Sequence, residues 1–381
     1  MMILFCMVWL QQGHHRKTKM LNREFELSTK KRSRVRILAT GGTIAGSADR
    51  ADAAASYTAA TLSLSAILNT VVGLNALAEV DARQIAAIDS KDADPAFWQC
   101  LARHVQEALD APDVDAVVVL HGTDTMEESA WFVQLALQPS KPVVFTGAMR
   151  PATALSADGP MNVLQAVRVA ADASSSRRGV LAVMNGAIHR ARFLRKAHGS
   201  HVHAFTSGGA GLEGEVFDTV HWFRPPPELK RDGPLPEVMN DVQMAADSRA
   251  SPNRIAGAGV NTDLLTVSLP RVDVLVAYPG APTDIITHVV RAGARGIVFA
   301  GTGQGTLSAP IQAALADAQA NGVAVVRASK VDEGRVQWDV GCPDSALGLM
   351  TSGGLSAGKA RVALMVLLAS GLSQSQWPKS F

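Results

Sequence analysis

Short apolar runs that stop at a glycine recur along this chain, and segments with helical periodicity lie between them. The run 35–39 stops at Thr40-Gly41-Gly42-Thr43, the run 116–120 at His121-Gly122-Thr123-Asp124, and the run 142–146 at Gly147. Runs this short and this uniformly apolar suit strands buried on both faces, the condition of a central parallel strand. Helical segments are expected at 61–72, 95–109, 127–137 and 161–173, and further strands at 78–88 and 179–184. The alternation predicts an α/β fold with a mostly parallel sheet and helices on both faces.

The same rhythm resumes in the second half. Strands are expected at 272–278, 296–300 and 323–328, and helices at 285–292, 311–321 and 356–370, the last opening with Ser356 at a plausible N-cap. Between the halves, residues 225–254 are rich in Pro, Asp and Arg, carry no periodicity and read as a linker. The expected organisation is a tail over 1–33, a larger N-terminal domain over 34–224, the linker, and a smaller C-terminal α/β domain with a parallel sheet over 255–381. A chain of 381 residues is long enough for two such cores.

Charge separates the tail from the body. Residues 1–36 hold nine Lys/Arg and two Glu, a local +7, so a total of +2 leaves −5 on the remainder. A mildly acidic body argues against a nucleic-acid surface. Residues 1–10 are apolar but too short to span a membrane, and the basic residues follow them rather than precede them, the wrong order for a signal peptide. The expected reading is a disordered or mis-assigned start, with initiation at Met20. Cys6, Cys100 and Cys342 are widely scattered and have no metal-ligand spacing, which fits a reducing compartment.

In open α/β sheets, ligands bind at the carboxyl ends of the strands. Thr43 stands at one such end, and Thr123 with Asp124 stands at another. A threonine hydroxyl is a weak nucleophile that needs a nearby proton acceptor and donors for the oxyanion that forms on attack. If the two strands are neighbours, two threonines, an aspartate and the turn amides share one crevice, which suits acyl transfer. Two other features carry less. His198, His201 and His203 lie in a polar, aperiodic stretch over 186–223 with no carboxylate or cysteine at ligand spacing, so a loop and hairpin is expected there rather than a metal site. Gly301-Thr302-Gly303-Gln304-Gly305 lacks both a phosphate-binding lysine and dinucleotide spacing, so no cofactor is expected.

The segments Thr40-Gly-Gly-Thr-Ile-Ala-Gly46 and Val119-Leu-His-Gly-Thr-Asp-Thr-Met-Glu-Glu128 resemble the two signatures of the bacterial-type L-asparaginase/glutaminase family. Lys141 to Pro151, Ser156 to Asn162, Gly179 to Asn185 and Val323 to Arg327 match it as well, so the resemblance runs from about Arg36 to the C-terminus. It implies hydrolysis of L-asparagine, with L-glutamine as the alternative substrate, without metal or cofactor. By the resemblance, Thr43 is the nucleophile and Tyr57, at the end of a small polar loop, closes over the substrate and helps activate it. Ser90 binds the substrate α-carboxylate, Thr123 is the second catalytic threonine, and Asp124 grips the α-ammonium. Lys196, matched by its distance from Met184-Asn185, stands beside Thr123. A homotetramer of tight dimers is implied, with active sites between N- and C-terminal domains of paired subunits.

The chain departs from the family in two places. Where the family supplies a glutamate from a neighbouring subunit, this chain has Gly341, with Asp339 and Asp344 as the nearby carboxylates. The late glycine turn reads Gly303-Gln-Gly-Thr306 where asparagines are usual. The disulfide of some secreted members has no cysteines here around 111 and 139, which points to the cytoplasm rather than the periplasm.

Overall fold

The structure is a computed structural model that describes residues 32–52, 57–226, 254–257, 260–372 and 377–381. The expected tail and most of the expected linker lie outside the described residues. The first half supplies strands β1 (Arg34–Gly41), β2 (Glu79–Ile88), β3 (Ala116–Leu120), β4 (Val143–Thr146), β5 (Val180–Met184), β6 (Ala187–Arg190), β7 (Arg195–Lys196), β8 (Phe205–Thr206), β9 (Gly214–Val216) and β10 (Val220–Trp222). Its helices are α1 (Leu64–Asn69), α2 (Leu74–Leu77), α3 (Pro95–Asp110), α4 (Met126–Leu137) and α5 (Gly159–Ala171).

Eight of these strands form one sheet in the order β10-β9-β6-β5-β4-β3-β1-β2. The pairs from β2 through β5 are parallel, and β6, β9 and β10 add an antiparallel edge. All five residues of β3 are buried. Their alternation sorts the core: Val117 and Val119 face α3 and α4, whereas Ala116, Val118 and Leu120 face α5. Burying each such Val or Leu contributes about 1.5–3 kcal/mol, so a five-residue strand holds its place without a polar face.

The second half contains a hairpin, β11 (Arg254–Gly257) with β12 (Val260–Asp263), and a parallel sheet of β13 (Val272–Val276), β14 (Gly296–Gly301), β15 (Ala324–Ser329) and β16 (Met350–Thr351). Its helices are α6 (Asp284–Arg291), α7 (Ala309–Ala320), α8 (Asp344–Leu347) and α9 (Ala357–Ala369). The expected α/β architecture, a larger and a smaller sheet each with helices, is what the chain adopts.

Helix α9 is apolar nearly all round, with Ala360, Val362, Ala363, Leu364, Met365, Val366 and Leu367 buried. Such a helix needs apolar partners on more than one side. It packs against the C-terminal sheet on one side and α4 on the other, and a single core joins the two halves there.

The expected helix over 61–72 is present but shorter, as α1. Ser63 caps α1 by accepting the Ala66 N–H at 3.2 Å, Thr70 ends it, and Gly73 takes φ 85° before α2. A left-handed glycine cannot sit inside a helix, so α1 and α2 remain separate elements. The short elements β16 and α8 are too brief to give a periodic signal. Among the described residues, no helix is long and apolar enough to cross a membrane.

Candidate active site

Parallel pairing sets β1 between β2 and β3, with Ala39 opposite Leu120 and Gly41 opposite Ile88. The turns after these three strands therefore emerge side by side at the carboxyl edge. Thr40 Oγ1 donates to the Leu120 carbonyl at 3.0 Å and ties the ends of β1 and β3 together. Gly42 has φ 80°, and a Cβ built on it would lie 2.4 Å from the Cα of Gly122. A Cβ on Gly122 would lie 2.5 Å from Ser90 Oγ. The turns touch because neither position carries a side chain.

Thr43 opens a short 3₁₀ turn, Thr43–Ala45, and is buried. Its Oγ1 lies 2.6 Å from the Tyr57 hydroxyl. The Tyr57 ring reaches that position by lying against Gly46, where a Cβ would meet it at 2.8 Å. On the second turn, Lys196 Nζ donates to Thr123 Oγ1 at 2.9 Å and pairs with Asp124 Oδ1 at 2.5 Å. The lysine side chain is 13% exposed and the aspartate 60%, so the carboxylate is the member of the pair that an incoming cation meets. Buried Ser90 accepts the Asp124 N–H at 3.3 Å, and its carbonyl accepts the Thr125 hydroxyl at 2.7 Å.

The surroundings hold these turns. His121 is buried between Phe97 and Phe145, and its Nδ1 contacts the Gly122 carbonyl at 2.7 Å, which assigns Nδ1 as the donor. Burial lowers the pKa of this ring from 6.5 to about 4, so it is neutral. Asp158 accepts the Met149 and Arg150 N–H groups, both at 2.9 Å, and fixes the turn after β4. Asn162 donates to the Gly147 carbonyl at 3.0 Å and accepts the Asn185 N–H at 2.9 Å, joining the turns after β4 and β5. Lys196 lies in β7, opposite Phe205 of β8.

Thr43, Tyr57, Ser90, Thr123, Asp124 and Lys196 thus gather on adjoining turns at one sheet edge. They form two groups, a threonine with a tyrosine and a threonine with a lysine–carboxylate pair. Such a set can pass a proton from one hydroxyl while holding a cation nearby. Thr125 and the Gly42–Gly122 contact are additions to the sequence reading. Chemically, glycine pairs signal only a turn, and their mutual approach depends on strand order.

In the C-terminal half, a buried ion pair ties together the segments around Gln304, Gln337 and Val340. Arg327 and Asp344 are fully buried and meet at 2.5 and 2.7 Å. Arg327 also donates to the carbonyls of Gln304 at 2.9 Å, Gln337 at 2.8 Å and Val340 at 3.3 Å. Asp344 is therefore committed to the scaffold and is not available to a ligand. Asp339 is exposed, though one of its oxygens accepts the Ser345 N–H at 2.7 Å. Gly341 has φ 74°, and a Cβ there would meet only Thr306 Oγ1, at 4.0 Å. In the 186–223 stretch, the His198 and His201 rings stack with centroids 3.5 Å apart. Among the described residues, no three His, Cys, Asp or Glu side chains are grouped to hold a metal ion.

Comparison with known proteins gives one answer for both halves. Residues 34–228 match the family described as Asparaginase, N-terminal, and residues 271–381 match the Glutaminase/Asparaginase C-terminal domain. The chain is 37% identical over 345 residues to the probable periplasmic L-asparaginase of Haemophilus influenzae, covering 91% of this chain and 90% of that one. It is 35% identical over 334 residues to L-asparaginase 2 of Escherichia coli, with 88% of each covered. The crystal structure of a probable cytoplasmic L-asparaginase from Campylobacter jejuni superposes with a TM-score of 0.79 at 33% identity, covering 90% of this chain and 97% of that one. With both halves matched and relatives of this identity aligned along nearly their whole length, the chain belongs to the asparaginase family.

Proposed function

We propose that this chain hydrolyses the side-chain amide of L-asparagine to L-aspartate and ammonia. The observation that carries the reading is the pairing of each threonine with its own proton partner on touching turns: Thr43 with Tyr57, and Thr123 with Lys196. Asp124 holds the substrate α-ammonium. Ser90, whose hydroxyl hydrogen is left free while its oxygen accepts the Asp124 N–H, donates to the α-carboxylate.

Thr43 Oγ1 attacks the amide carbon, and its proton leaves along the hydrogen bond to Tyr57. Backbone N–H groups of the two turns stabilise the oxyanion, those of Gly42 and Gly46 aside, which are bonded to the Ile88 and Thr43 carbonyls. The C–N bond then breaks, and ammonia departs with the proton given up by Thr43, passed on from Tyr57 and relayed to the nitrogen by way of Thr123 and Lys196, so that no enzyme group is left with a gained or lost proton. Water attacks the resulting ester of Thr43, which releases aspartate and restores the hydroxyl. No step runs through a metal or cofactor.

The reading extends to a homotetramer of tight dimers in the cytoplasm. The exposed Val276, Tyr278 and Ile285 on the C-terminal domain support an apolar contact between copies, and free Cys100 and Cys342 fit a reducing compartment.

The test is ammonia release from L-asparagine, L-glutamine and succinamic acid, with Thr43→Ala alongside. Asparagine is expected to be turned over well and succinamic acid, which lacks the α-ammonium, poorly. Thr43→Ala is expected to lose at least about a thousandfold in kcat. Equal rates on asparagine and glutamine would favour a broader amidase. Unchanged turnover in Thr43→Ala would refute the mechanism.

A further inference from the structure

Lys359 has no part in the reaction described above, yet it is completely buried near the start of α9. Its ammonium donates to the carbonyls of Ala191 at 3.4 Å, Arg192 at 2.7 Å and Leu194 at 2.6 Å. An ammonium has three hydrogens, and here three carbonyls of one short segment receive them. That segment leads directly into β7 and Lys196. Ala191 and Leu194 are buried, so their carbonyls need a donor from within the protein. On its other side, Lys359 Nζ lies 3.8 Å from Glu127 Oε2, which also accepts the Ser356 hydroxyl at 3.2 Å. Glu127 stands in the first turn of α4, immediately after Thr123-Asp124-Thr125. A second tie parallels the first: Arg195 donates to the Gly354 carbonyl at 2.8 Å.

From this geometry we infer that Lys359 is a positioning residue for catalysis, fixing the backbone that delivers Lys196 to Thr123 and Asp124. The inference rests on the proposed role of Lys196. Lys359 touches neither Lys196 nor the reacting atoms. It holds the strand on one flank and the helix start on the other, so the 2.9 Å contact between Lys196 and Thr123 depends on a cation from the C-terminal half. A short two-residue strand such as β7 has little pairing of its own to hold its register. Displacements of about 1 Å at a proton-transfer contact are enough to cost about a hundredfold in rate.

The experiment compares Lys359→Met, Lys196→Met and Leu364→Ala in the full chain, each assayed well below its own melting temperature. Leu364 is buried on the same helix and faces the C-terminal sheet, so its truncation destabilises without touching the 191–196 segment. Lys359→Met is expected to lower kcat by about tenfold, with aspartate affinity within about threefold of the native value. Leu364→Ala is expected to keep kcat within about twofold. Equal losses in Lys359→Met and Leu364→Ala, or an unchanged kcat in Lys359→Met, would overturn the inference. Should Lys359→Met fail to fold, Arg195→Gln removes the parallel tie from a less buried position. Its kcat is expected to fall by about threefold at nearly constant melting temperature, and an unchanged kcat there would count against the inference. Lys196→Met separates the two ideas: if it leaves kcat intact, the catalytic reading of Lys196 fails, whereas a large loss there with none in Lys359→Met defeats only the positioning role.

Discussion

Gly42 and Gly122 touch backbone to backbone, so closely that a Cβ on the first would sit 2.4 Å from the Cα of the second. Separations below 3.0 Å to backbone atoms cannot be relieved by a rotamer change, so one of the two turns has to move. Gly42→Ala also forces a side chain onto φ 80° and ψ −169°, a region essentially confined to glycine, which costs about 1–3 kcal/mol by itself. The expected result is a folded protein with kcat/KM reduced by at least about a hundredfold on asparagine. Near-native kinetics would mean that the separation of the two threonines does not matter.

Tyr57 meets Thr43 through a single hydroxyl contact at 2.6 Å. Tyr57→Phe keeps the ring on Gly46 and removes only that oxygen. Its kcat is expected to fall by about a hundredfold while KM changes little. Gly46→Ala, whose Cβ would meet the ring at 2.8 Å, is expected to lower kcat in the same direction by displacing the whole side chain. Steady-state ammonia release distinguishes the two from a binding defect, which would appear in KM.

Three buried groups set the acid response of the fold. Burial lowers His121 and His189 from 6.5 to about 4 and raises the Glu128 carboxyl from 4.5 to about 7. The unfolded chain protonates the histidines first, so their contribution is intact above pH 6.5 and is lost as pH falls through about 4. Glu128 acts in the opposite sense: its contribution is complete below pH 4.5 and is lost as pH rises through about 7. Each displacement corresponds to about 3 kcal/mol, and two histidines outweigh one glutamate. The urea midpoint is therefore expected to fall between pH 6.5 and 4, and to fall further in Glu128→Gln, where the opposing gain is gone. A midpoint that rises on acidification would contradict this balance.

Arg327 and Asp344 are both fully enclosed, so Asp344→Ala leaves a buried guanidinium charge without its counter-ion. The expected loss is about 3–5 kcal/mol of unfolding free energy. Chemical denaturation measures it, and a loss below about 1 kcal/mol would show that water reaches the site.

The strand ends were the legible part of this chain. Runs such as 116–120 have no polar face, so burial and type follow from composition alone, and the glycine after each marks where the backbone turns. Lys196 was reachable only by its distance from Met184-Asn185, because Phe193-Leu-Arg-Lys196 reads locally as surface. Lys359 left no signal at all. A lysine three residues past a serine cap looks solvated, and only the packing of α9 between two halves of the molecule makes it an interior cation. The same holds for Asp344, whose sequence neighbourhood suggests an exposed loop while its side chain is wholly enclosed by Arg327 and the backbone around it. Interior charges of this kind are fixed by contacts distant in sequence, and local patterning carries no record of them.

The reach of α9 across to the 191–194 carbonyls has a consequence for biosynthesis. Five of the six gathered side chains lie within residues 43–124, yet the segment carrying the sixth is fastened by a residue made more than 160 positions after it, Lys359. A nascent chain not yet extended through α9 lacks the cation that fastens the segment leading to Lys196. Translation products stopped before Ala357 are expected to release little ammonia from cellular asparagine, so the ribosome would not discharge a half-finished hydrolase into the pool from which it draws its own amino acids.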